Sequence, residues 1–264
     1  MSNTALITGA SSGIGATYAE RLAKRGHDLV LVARNEERLA ALAERLRAES
    51  GRSVEVLRAD LTSKDGLAAV EDRLRSDSRI DMLVNNAGVA VAGTLLEGDP
   101  ERFDAMVQLN AVVPMRLAQA AAKAFAARGA GTIINMSSVL ALAPELFNGA
   151  YSGTKAFVLN LSLSLAKELE GKGVRVQVVL PGATRTESWE RAGTDLSKFP
   201  PEMVMEVGEM VDAALAGLGQ GELVTIPSLP EMSDWQRYEE GRRALGPNLS
   251  RDHAAQRYRR SAAA

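Results

Sequence analysis

Short β-rich runs alternate with longer segments of helical period as far as residue 226, and this alternation restricts the fold more than any other feature of the sequence. Thr4 to Thr8, Asp28 to Ala33, Val54 to Arg58, Met82 to Asn85, Thr132 to Met136, Val174 to Leu180 and Leu223 to Ile226 read as strands. Several, such as LVLVA and VRVQVVL, are near-continuous apolar runs. That pattern fits strands covered by helices on both faces. Between the strands, Leu39, Leu42, Ala43 and Leu46 share one face of a segment whose other face is charged. This helix stops near Gly51, one from Ile14 stops at Gly26, and Pro100 suits the first turn of a long helix toward Arg128. The expected fold is α/β, a Rossmann-type doubly wound parallel sheet of about seven strands with helices on both faces.

The stretch TGASSGIG, closing the first strand, fits two unrelated machines. Gly9, Ser11 and Gly13 spell the G-x-S-x-G of a serine nucleophile elbow. Gly9, Gly13 and Gly15 also form a turn whose backbone can approach a pyrophosphate, with the following helix pointing its free N–H groups at the anion. An elbow needs a histidine late in the chain. The sequence holds two, His27 at a helix-to-strand turn and His253 in a polar tail, and Ser11 lies too early for an elbow. The two histidines and the lack of cysteine also exclude a multi-histidine centre, thiolate chemistry and disulfides, so no metal site is expected. Cysteine-free composition fits a cytoplasmic location.

Further motifs follow in order. Asn85-Asn-Ala-Gly88, Ser138, Tyr151-Ser-Gly-Thr-Lys155 and Pro181-Gly182 join the glycine turn in a set that resembles the short-chain dehydrogenase/reductase family from about Thr4 to Ile226. The spacing of Tyr151 and Lys155 puts both on one side of a helix. A neighbouring ammonium is expected to lower the phenol from its ordinary value of ~10 toward the working range. The resemblance implies that Tyr151 exchanges a proton with the reacting oxygen, that Lys155 tunes it and bonds the nicotinamide ribose, and that Ser138 orients the oxygen. Ser137 competes for that last role, and Ser138 is preferred because it fits the family's offset of thirteen residues before the tyrosine. Asn110 matches the family asparagine that interrupts a helix and holds a relay water. For the cofactor, the resemblance implies Gly9, Ser11, Ser12, Gly13, Ile14 and Gly15 at the phosphates. It implies Asn86, Ala87 and Gly88 as part of the wall, Asp60 and Leu61 beside the adenine, and Pro181, Gly182 and Thr186 toward the nicotinamide.

Ala33 stands where a carboxylate would bond a ribose 2′-hydroxyl, and Arg34 follows it, a pair that favours NADP(H) through charge and bidentate geometry. Residues 1–227 thus read as one oxidoreductase domain carrying cofactor and substrate sites, and 228–264 as a polar extension, helical around Asp234 to Leu245 or frayed. The substrate side is less legible. Val139 to Phe147 is largely apolar, and Thr184 to Met205, read as loop plus short helix, brings Trp189, Phe199, Met203 and Met205. If these line the pocket, the substrate is an apolar ketone or secondary alcohol. A formal charge of −2 gives no reason to expect nucleic acid or an anionic membrane as partner, and no apolar run nears the ~18 residues of a span. The resemblance implies a homodimer or homotetramer paired through Pro100 to Arg128 and Ala150 to Gly171. A cofactor-binding sensor without turnover, or an epimerase or dehydratase on the same fold, stays open.

Overall fold

A computed structural model describes residues 3–187, 189, 196 and 199–259. Parts of two expected segments, 188, 190–195, 197 and 198 in the loop and 260–264 in the extension, lie outside the described residues. The chain divides into compact units of residues 1–227 and 228–264.

The larger unit is built on a seven-stranded parallel sheet in the order β3-β2-β1-β4-β5-β6-β9. These strands are β1 (Thr4–Thr8), β2 (Asp28–Ala33), β3 (Val54–Arg58), β4 (Ile80–Asn85), β5 (Gly131–Met136), β6 (Val174–Val179) and β9 (Val224–Thr225). Helices α1 (Gly13–Lys24), α2 (Glu36–Ser50), α3 (Lys64–Ser76), α5 (Val113–Arg128), α6 (Gly149–Glu168) and α7 (Val207–Gln220) cover it. The apolar runs carry no polar alternate because successive side chains feed two cores. Leu29 and Leu31 join the α1, α2 and α7 side, whereas Val30 and Val32 join the α3 and α5 side. The order reverses between β1 and β4, leaving a crevice at the strands' C-terminal ends, where ligands bind in sheets of this kind.

The helix expected from Pro100 to Arg128 is interrupted at Asn110, as the resemblance implies: α4 (Pro100–Val107) passes through a π turn at Gln108–Val112 into α5. Pro114 has no N–H to offer the Asn110 carbonyl four residues back, so the α-helical ladder fails there. Val113 N–H instead reaches Gln108 O, five residues back. The segment read as loop plus short helix holds a two-stranded parallel pair, β7 (Ala183–Arg185) with β8 (Val204–Glu206). Strands of three residues leave little periodic signal, and this pairing is set by contacts about twenty residues apart.

In the extension, α8 (Met232–Ala244) carries a stacked Trp235–Tyr238 pair, and Glu239 pairs with Arg242. No described helix is long and apolar enough to cross a membrane.

Phe125 lies fully buried in the α3/α5 core, and its ring fills the space where a side chain on Gly131 would stand. Phe125→Ala should cost about 3–5 kcal/mol of unfolding free energy in urea titrations.

Candidate active site

The crevice is walled first by the glycine turn. Gly9 takes φ +67°, which a side chain resists, and a Cβ on Gly15 would stand 2.3 Å from Gly9 O. The turn is thus closed to side chains, and α1 begins directly behind it, with no acidic residue in its first turn. Ser11, Ser12 and Ile14 are half-buried along this turn. The opposite wall is tied to it through Thr8, the first residue of TGASSGIG, to which the sequence pattern assigns no role. Thr8 Oγ1 accepts from the backbone N–H groups of Asn86 and Ala87, both at 3.0 Å, and the Asn86 amide donates to Thr8 O at 2.9 Å.

Asn110 is buried in the π turn and grips the same wall further along. Its side chain accepts from Val89 N at 2.9 Å and donates to Val89 O at 2.8 Å, a two-way bridge to the backbone of one residue. A Cβ on Gly88 would stand 3.1 Å from Asn110 Oδ1 and 3.6 Å from Lys155 Nζ. The absence of a side chain at Gly88 therefore keeps that approach open.

Tyr151 and Lys155 project from the first two turns of α6. Asn148, unnoticed in the sequence, caps this helix by accepting from Tyr151 N at 2.9 Å. Its amide donates to Val91 O at 2.8 Å and so fixes α6 to the wall that Asn110 holds. An asparagine three residues before the tyrosine is the N-cap signal that could have identified it. Ser138 lies close enough to the Tyr151 hydroxyl to favour its ionised form, and its own hydroxyl donates to Pro181 O at 3.4 Å, whereas the Ser137 hydroxyl donates to Lys155 O at 2.7 Å. Ser138 is thus the serine that faces the phenol.

The electrostatics depart from expectation. Burial pushes the Tyr151 phenol up to about 12, with the Ser138 hydrogen bond acting the other way. Burial likewise pushes the Lys155 ammonium down to about 8. Lys155 does not pull Tyr151 down in this arrangement. Its Nζ stands 5.6 Å from the ring centroid, over the ring, and donates to Met136 O at 3.2 Å.

At the other end of the crevice, Arg34 follows β2 and is exposed, with no ion pair among the described residues. Its charge lies close enough to Asp60 to help hold that carboxyl below the ordinary range, after the larger effect of hydrogen bonds from Thr62. Leu61 is buried beside it. Pro181 and Gly182 follow β6, and Pro181 O accepts from Val139 N at 3.0 Å, bracing the Ser138 segment. Thr186 crosses back over the glycine turn: a Cβ on Gly13 would meet its Cγ2 at 3.2 Å.

The family model for short chain dehydrogenases matches residues 3–197. The chain belongs to this family. A short-chain dehydrogenase from Sphingobium yanoikuyae, solved in complex with NADPH, is 53% identical, with 97% of this chain and 100% of that chain covered and a TM-score of 0.95. The bulky-bulky ketone specific alcohol dehydrogenase from Comamonas testosteroni is 49% identical, covering 97% and 98%, with a TM-score of 0.89. An uncharacterised oxidoreductase of Staphylococcus epidermidis is 34% identical over 226 residues, 84% of this chain and 93% of that protein.

Holding a cation where Lys155 is buried costs stability at neutral pH. Its folded value lies below the unfolded one, so protonation favours the unfolded chain below about 10, and stability rises with pH from about 8. Lys155→Met should therefore unfold at or above the wild-type temperature at pH 7 in scanning calorimetry, even as it loses turnover.

Proposed function

We propose that this short-chain dehydrogenase interconverts a ketone or aldehyde and the corresponding alcohol with NADP(H), Tyr151 serving as the acid and base. The observation that carries the reading is the convergence of Tyr151, its partner Ser138, and Lys155 beside the side-chain-free approach at Gly88. The residues fit a dinucleotide: the turn at Gly9 and Gly15 has no room for side chains, and the N-terminus of α1 opens onto it. Gly9 through Gly15 would hold the pyrophosphate, Asp60 and Leu61 the adenine, Arg34 the 2′-phosphate. Asn86 to Gly88, Pro181, Gly182 and Thr186 would border the nicotinamide. The bound nicotinamide supplies or accepts the hydride.

Tyr151 gives its proton to the carbonyl oxygen in reduction and recovers one from the alcohol in oxidation. Ser138 holds the reacting oxygen against the phenol. Lys155 places its charge over the ring and would bond the ribose, and Asn110 keeps the Val89 backbone and α6 in register. Residues 1–227 would carry both sites. The similar enzyme specific for bulky-bulky ketones supports an apolar substrate. So do Val91, Phe103 and Met106, which pack against Ala150 and Tyr151, and Phe147, edge-on to the Tyr151 ring with centroids 5.5 Å apart. We assign the protein to the cytoplasm and expect α5 and α6 to pair two copies, since a groove along them is lined by Met115, Ala118, Leu161 and Leu165.

Assays following NADPH absorbance against a panel of bulky ketones test the reading. Tyr151→Phe should lower kcat/KM by about 10²–10⁴-fold, and survival of turnover without the phenol would remove the assigned acid. Reduction needs a protonated Tyr151 and a charged Lys155. The phenol stays protonated through neutrality, so wild-type kcat/KM should hold level below about pH 8 and fall above it as Lys155 loses its proton. For the cofactor, Ala33→Asp with Arg34→Ala should shift the NADPH/NADH ratio of kcat/KM by roughly 10–100-fold toward NADH, the worth of a charge-assisted hydrogen bond. A wild type that prefers NADH would refute the role of Arg34.

A further inference from the structure

Two adjacent serines follow β5, and the proposed mechanism uses only Ser138. Ser137 is buried beside it, 3% exposed, and its hydroxyl donates to Lys155 O at 2.7 Å. That carbonyl lies within α6, where the helical ladder takes one lone pair and leaves the second for the serine. One residue earlier, Met136 O accepts from Lys155 Nζ at 3.2 Å. Consecutive residues of one stretch of chain therefore hold both ends of the lysine, its backbone and its ammonium. Ser137 is itself fixed, since its N–H donates to Val179 O of β6 at 2.8 Å. Successive side chains of a strand alternate, so Asn135 and Ser137 share the face turned to α6. Asn135 donates to Ser162 Oγ at 2.9 Å, and Ser137 makes the matching tie about two turns nearer the helix start.

We infer that Ser137 is a positioning residue for the reaction: by holding the Lys155 backbone, it sets the path on which the lysine side chain reaches over the Tyr151 ring. This rests on the roles proposed for Tyr151 and Lys155 and goes beyond them. Helical spacing brings the two residues to one side of α6 but leaves the torsions of the lysine side chain free. Ordering such a chain costs rotamer freedom, and a clamp at both ends meets that cost before substrate arrives. The ammonium then stands 5.6 Å from the ring centroid. Around it lie Tyr151, the Met136 carbonyl, and the uncharged Gly88 and Asn110. Burial alone moves its pKa, down to about 8. Without the Ser137 hydroxyl the backbone end loosens, the side chain samples positions nearer water, and the charged form gains.

Ser137→Ala removes the tether and adds no bulk. Lysine titration is followed by 13C NMR, with the Lys155 signal identified by its loss in Lys155→Met. Lys155 should titrate at about 8 in the wild type. In Ser137→Ala it should titrate roughly half a pH unit higher, and the alkaline limb of kcat/KM for a bulky ketone should move up with it. At pH 7, kcat should fall by about 3–10-fold while KM for the ketone stays within about twofold. The melting temperature should drop by only about 2–5 °C. Phe125→Leu, in the α3/α5 core, should lower melting at least as far and leave the Lys155 titration where it is in the wild type. An unmoved titration in Ser137→Ala overturns the assignment whatever the activity. So does a Ser137→Ala chain that no longer folds, a loss confined to KM, or a Phe125→Leu that moves the titration equally. A moved titration with kcat unchanged, while Tyr151→Phe is inactive, also overturns it. Turnover that survives Tyr151→Phe, with the titration moved in Ser137→Ala, refutes the catalytic reading and leaves Ser137 as the residue that holds Lys155.

Discussion

The crevice depends on one hydroxyl. Thr8 stands at the end of β1, beside the point where strand order reverses. Its Oγ1 takes the N–H groups of Asn86 and Ala87 as the chain leaves β4. In a parallel sheet, those two amides would otherwise be left without ladder partners at the strand's end. The same atom donates to Val84 O at 3.3 Å, so both walls are locked to each other at their base. Everything placed from the β4 side, including Gly88, the Val89 peptide held by Asn110 and the Val91 carbonyl held by Asn148, inherits its position from this join.

A second join works deeper, beneath α6. Asn85 donates to Asn135 Oδ1 at 3.0 Å, and Asn135 donates to Ser162 Oγ at 2.9 Å, all within the buried interior. A buried polar chain of this kind fixes register, because a one-residue slip would strand its amides without partners. Asn135 precedes Met136, whose carbonyl accepts from Lys155, and Ser162 lies about two turns beyond Lys155. The network therefore sets the depth at which the ammonium sits against β5, and with it the burial that lowers its pKa.

The sequence made the scaffold and the motif residues readable because local physics determines both. The boundaries of β1, β2 and β3 could be read to the residue, since each is an apolar run closed by polar or glycine positions. Tyr151 and Lys155 came together because four residues of helix must bring them to one side. What escaped was tertiary. Asn148 and Thr8 do their work through partners 57 and 78 positions away. The β7–β8 pair and the Arg38–Glu187 contact have no local period to betray them. The direction of the Tyr151 shift was misjudged for the same reason: charge proximity can be read from spacing, whereas burial needs the packed core.

That misjudgement clarifies how Lys155 can act. An ammonium held in an apolar interior at a cost is short of a counter-charge, and in the resting arrangement its neighbour is a neutral phenol. In the proposed reaction, as Tyr151 gives up its proton, negative charge would grow on the oxygen of the ring over which the ammonium lies. The attraction between them is therefore weak in the ground state and strengthens along the proton transfer. An interaction that strengthens only toward the transition state lowers the barrier, whereas one already present in the ground state does not. A lysine that had paired fully with Tyr151 at rest would have a more acidic phenol but less left to contribute. On the proposed mechanism, burial of both groups, costly to the fold, would reserve that contribution for the reaction.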